Sequence, residues 1–105
     1  MIDIQIFRDA EGHICGYSVA GHRGKHGSSI VCAGISVLAQ SALKGIGEHL
    51  SRSVDFHVES GDLRMRLKDK PDVSTDAILE TMLIGMKDVQ GCDLKGVRIS
   101  EIQEV

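Results

Sequence analysis

Val31, Ile35, Leu38, Ala42, Ile46 and Leu50 recur at steps of three and four residues. On a helix of about 3.6 residues per turn, that spacing lines one face with aliphatic side chains. Such a face must be covered, and the flanking segments supply the cover. Ile2, Ile4 and Ile6 alternate with Asp3 and Gln5, the period of a half-buried strand. Asp9-Ala10-Glu11-Gly12 predicts a hairpin turn, and Ile14, Tyr17 and Val19 mark a second strand over residues 13–20. Beyond the helix, whose last turns Gly45 and Gly47 weaken, Val54, Phe56 and Val58 alternate again. Gly61-Asp62 makes a turn into a paired strand carrying Leu63, Met65 and Leu67, which Lys70-Pro71-Asp72 breaks. Ser74 is expected to cap a second helix, with Ala77, Ile78, Met82, Ile84, Met86 and Val89 facing the core and Gly91 ending it. Val97, Ile99 and Ile102 predict a closing strand whose partner the pattern leaves open. The order is ββαββαβ, an α+β fold with two helices packed on a mainly antiparallel sheet.

A chain of 105 residues supports one core, so a single domain over 1–105 is expected. Two Phe, one Tyr and no Trp leave few surfaces on which bases could stack, and a net charge of −3 gives no general basic face. Nucleic acid is therefore not an expected partner, although Arg23, Lys25 and His26 make a local patch that suits an anion. Cys15, Cys32 and Cys92 form no CxxC pair, which argues against a disulfide framework or a zinc ribbon. Asp3 and Gln5 interrupt any leader-like apolar run. The segment from Ile30 to Ile46 carries Ser, Gln and Lys, and the expectation is that it does not span a membrane. A cytoplasmic location with reduced thiols follows as the expectation.

The stretch GHRGKHGSSIVCAGIS, residues 21–36, is the one that does not look like ordinary packing. Ser28 or Ser29 can cap the first helix; with Ser29 as cap, Cys32 is the third helical residue. There the helix dipole and unpaired N–H groups favour a thiolate, and the same donors can steady an oxyanion. Ser36 follows one turn later on the same face. His22, separated by a glycine loop, can take the thiol proton and return it to a leaving amine. Gly21, Gly24 and Gly27 allow close approach to a bound peptide. The spacing leaves other readings open: a small core cysteine, a zinc site from His22, His26 and Cys32 that lacks a fourth ligand, or a phosphate at the helix start. The last departs from a P-loop because Gly24-Lys25 is followed by His26. Cys15, Cys92, His13, His49 and His57 are expected to be packed or surface residues.

Gly21-His22, the glycine-rich loop and Gly27-Ser28-Ser29-Ile30-Val31-Cys32-Ala33-Gly34-Ile35-Ser36 resemble the signature of the ribosomal-processing cysteine protease family Prp. That signature is Gly-His, a loop, and Gly-x-Asp-Ile-Val-Cys-Ala-x-x-Ser opening a helix. Ile78–Met86 resembles the family's second helix. The resemblance implies a bacterial endopeptidase that removes a short N-terminal extension from large-subunit ribosomal protein twenty-seven. It also implies a homodimer and no metal or organic cofactor. Cys32 matches the nucleophile and His22 the general base. Ser29 stands where the family has Asp, and the loop is slightly shorter. A Cys–His dyad is then expected, supported by Ser29 or Ser36 and by the loop glycines Gly21 and Gly27. The competing expectation is a non-catalytic peptide-binding or ribosome-associated module on the same scaffold. Ala33, Gly34, Ser36 and Ala39 are expected to permit close helix approach in a dimer.

Overall fold

The computed structural model describes residues 1–22 and 29–104. Arg23, Gly24, Lys25, His26, Gly27 and Ser28, all singled out above, lie outside the described residues. The elements run β1 (Ile2–Arg8), β2 (Ile14–Gly21), α1 (Ile30–Lys44), β3 (Val54–Glu59), β4 (Asp62–Leu67), α2 (Val73–Gly91) and β5 (Val97–Gln103). This is the expected α+β order. The five strands form one sheet in the order β3-β4-β2-β1-β5. Neighbours are antiparallel except β1 and β5, which run parallel in register from Ile2↔Val97 to Arg8↔Gln103. The closing strand thus finds its partner at the other end of the chain.

Ile2, Ile4 and Ile6 of β1, Tyr17 of β2, Leu63, Met65 and Leu67 of β4 and Val97 of β5 enter one buried cluster with both helices. Helix α1 gives Ile35, Ala39 and Ala42 to it, and Ile46 follows. The α geometry stops at Lys44, and the two glycines pass into a π turn over Gly45–His49, closed by Leu50 N–H on the Gly45 carbonyl at 3.0 Å. By length and composition alone, Ile30–His49 is long and apolar enough to cross a membrane despite its Ser, Gln and Lys. Its stripe is nevertheless spent on the sheet. Gly34 packs against Val89 of α2, and Ala39 is 1% exposed, so these small residues serve packing within the chain.

Two details of α2 differ from the sequence reading. Its cap is Asp72, not Ser74: Asp72 Oδ1 accepts from Thr75 N–H at 3.0 Å, while Thr75 Oγ1 accepts from Asp72 N–H at 2.9 Å. The Thr75 N–H, with Arg52 nearby, holds the Asp72 carboxyl below its usual range. The buried stripe is Thr75, Leu79, Met82, Leu83 and Met86; Ala77 is exposed and Ile84 is 65% exposed. Leu79→Ala should therefore cost roughly 2–5 kcal/mol, because it opens a cavity in a packed core. Ile84→Ala should stay within about 0.5 kcal/mol of wild type, as surface changes do. Urea unfolding of both variants checks the assignment, and equal losses would contradict it.

His13 ties the first hairpin to α2, its Nδ1 lying 2.7 Å from Asp76 Oδ2. The hydrogen bond first, and the charge second, raise His13 above its ordinary value of 6.5. A group raised on folding stabilises fully below its unfolded value, and that contribution is lost as pH climbs through the folded one. The melting gap between wild type and His13→Gln should be widest below about pH 6.5 and narrow as pH rises above it. A gap that does not change with pH would place the effect outside this charge pair.

Candidate active site

Helix α1 begins where Ser29, in extended backbone, turns its Oγ to accept from Cys32 N–H at 3.0 Å. Cys32 is therefore the third helical residue, as the capping pattern predicts. Ala33 N–H donates to the Ser29 carbonyl at 3.1 Å. Ser29 thus makes the cap bond itself. Ser36, one turn on, is exposed and accepts from Gln40 Nε2 at 2.8 Å.

His22 follows the end of β2. Gly21, the last strand residue, takes φ +93°, and its N–H donates to the Gly61 carbonyl at 2.9 Å. The His22 carbonyl accepts from the Met1 ammonium at 3.0 Å. These contacts fix the chain at the point where the imidazole leaves it. Gly21, His22, Cys32 and Ser36 all line one cleft of ≈ 450 Å³ between the start of α1 and the β3–β4 hairpin. Val58 and Gly61 line its far wall. Cys32 is half-buried and packs against the core edge, so the small-core and functional readings share the position. The structure thus brings together the candidates Gly21, His22, Cys32 and Ser36, with Ser29 capping the helix below them. Gly27 lies outside the described residues.

The other thiols are placed differently, and none of the three cysteines forms a disulfide. Cys15 is the extra residue where the β1–β2 register slips, and its Sγ faces the Phe7 carbonyl at 3.4 Å. Burial pushes the Cys15 thiol up, and Glu104 adds to this, which disfavours the nucleophilic form. Cys92 closes α2 at its carbonyl end, facing the Asp88 carbonyl. Neither lines the cleft. His57 is not solitary, as its sequence position had implied. Its Nε2 lies 3.6 Å from Glu59 Oε1 and 3.4 Å from Asp62 Oδ2 on the exposed hairpin. These three are the donors among the described residues that converge as a metal-ligating set, although Arg64 also contacts Asp62 at 3.3 Å. The candidate zinc ligand His26 lies outside the described residues.

Sequence reasoning missed the hairpin wall. The turn falls on Ser60 and Gly61, with Asp62 already opposite Glu59 in the ladder. Gly61 takes φ +75° and carries no side chain on the side where the His22 ring lies. Its glycine signalled a turn; nothing in its own neighbourhood signals a distant imidazole.

A cysteine at a helix start and a histidine lining the same cleft are the residue types that a cysteine peptidase uses. Comparison with known proteins gives the same class. The family model of cysteine protease Prp matches residues 1–93, and the chain belongs to that family; it is a cysteine protease. Two crystal structures of the ribosomal processing protease Prp from S. aureus superpose closely. The one with a covalently linked product peptide has 26% identity and a TM-score of 0.87, covering 96% of this chain and 99% of that one. The one with a substrate peptide has 25% identity and a TM-score of 0.86 over the same shares. A Streptococcus mutans protein at 19% identity shares the fold, with a TM-score of 0.85 over 99% of each chain. No curated protein gives a significant match.

Proposed function

We propose that this cysteine protease removes a short N-terminal extension from a large-subunit ribosomal protein, with Cys32 as nucleophile and His22 as general base. The observation that carries the reading is the shared cleft: His22 and Cys32 both line it although a loop separates them in sequence. The S. aureus relatives add support, since one is a ribosomal processing protease holding a substrate peptide and the other a covalently linked product peptide. His22 takes the Cys32 proton as sulfur attacks the scissile carbonyl, and the resulting imidazolium protonates the departing amine. Water, deprotonated by His22, then splits the thioester, releases the carboxylate product and restores the thiol. Ser29 already engages the Cys32 and Ala33 N–H groups. The start of α1, with its N–H groups left over by the helix, is the part of the chain that supplies donors for the oxyanion. A cytoplasmic homodimer needing no metal or organic cofactor belongs to the same proposal.

The test is mass spectrometry of a large-subunit ribosomal protein bearing its N-terminal extension, before and after incubation with the purified enzyme. One cut within the extension is expected. An untouched substrate under conditions where the enzyme is folded would overturn the reading.

A further inference from the structure

We infer that Gly61 is a positioning residue for His22: the vacancy at its α-carbon seats the imidazole, and its carbonyl anchors the strand end that delivers it. The inference rests on the reading of His22 as general base. Two contacts carry it. The Gly61 carbonyl accepts from Gly21 N–H at 2.9 Å, so the residue immediately before His22 is tied to the β3–β4 turn. The ring itself lies over Gly61: a Cβ there would meet His22 Cε1 at 2.9 Å and Cδ2 at 3.2 Å, and Nε2 more closely still. Ordinary carbon contacts begin near 3.4 Å. A methyl group would therefore move the ring by about 1 Å, a misplacement that can cost about 10²-fold in rate when a catalytic group is displaced.

The plain alternative is that Gly61 is only a turn glycine, kept for its positive φ of +75°. The molecule contains its own control. Gly12 turns the first hairpin at φ +91°, yet a Cβ there would have nothing within 4 Å. Alanine at Gly12 imposes the backbone strain alone. Alanine at Gly61 adds the collision with the ring. No sequence neighbour of Gly61 takes part, so the effect belongs to the fold.

The experiment measures kcat and KM of the full-length enzyme on the extended ribosomal protein for wild type, Gly61→Ala, Gly12→Ala and His22→Ala. Gly61→Ala is expected to lose about 10²-fold in kcat with KM unchanged, and Gly12→Ala to keep wild-type kcat. Equal kcat for Gly61→Ala and Gly12→Ala would overturn the inference. If His22→Ala is slow while Gly61→Ala is normal, the general base stands and Gly61 is merely a turn residue. If His22→Ala cleaves like wild type, the base assignment fails and takes this inference with it. Should Gly61→Ala not fold, wild-type protein still decides. Nuclear Overhauser contacts between the Gly61 α protons and the His22 ring protons are expected, and their absence would refute the seat.

Discussion

Cys32→Ala is expected to abolish cleavage of the extended ribosomal protein while the chain stays folded. Removing a covalent nucleophile eliminates the thioester route outright, and losses on this scale reach about 10⁶-fold in kcat. Stability should change little, by about 1 kcal/mol or less, because Cys32 sits at the half-buried edge of the core and alanine is a good helix former. The cap survives too, since Ser29 Oγ accepts from the backbone of residue 32 and not from its side chain. The variant should therefore melt with wild type and still retain the peptide, as seen by comigration or fluorescence anisotropy. Cys15→Ala and Cys92→Ala should keep full activity, because neither thiol lines the cleft. Cleavage persisting in Cys32→Ala would move the chemistry elsewhere.

Much of the scaffold was legible because each element carries its own period. Ile2, Ile4 and Ile6 alternate in sequence and are buried in the sheet, and Ser29 caps α1 where its place before an apolar run predicts. Partnership was not legible. β5 shows an ordinary strand pattern, but nothing in that pattern sets it parallel beside β1. Ile84 fits a three-and-four-residue stripe as well as Leu83 does, yet the neighbouring stripe won because it faces the sheet, leaving Ile84 in solvent. Val54, Phe56 and Val58 alternate like a buried strand, but β3 is an edge, and Phe56 is 65% exposed there. Ser74 looked like the cap of α2, and Asp72 took the role because Thr75 completes a reciprocal pair of bonds with it.

The site divides along the same line. Cys32, Ser29 and Ser36 are one local motif on one helix start, and helical geometry alone places them. His22 could be named from the family resemblance, whereas its seat could not. Gly61 reaches the imidazole through the register of β3 with β4 and the Gly21 contact, which are facts of the sheet.

His22→Ala addresses the claim on which the mechanism turns, that this imidazole activates this sulfur. A positioned general base contributes about 10²- to 10⁴-fold, so the variant should fall by that factor while binding substrate normally. Labelling separates activation from later steps. Wild type and His22→Ala are each treated with a peptide chloromethyl ketone that carries the residues preceding the cleavage point, then digested and mapped by mass spectrometry. A single adduct on Cys32 is expected, formed at least about 10²-fold more slowly without His22. Labelling at an undiminished rate in His22→Ala, or an adduct on Cys15 or Cys92 in place of Cys32, would contradict that claim.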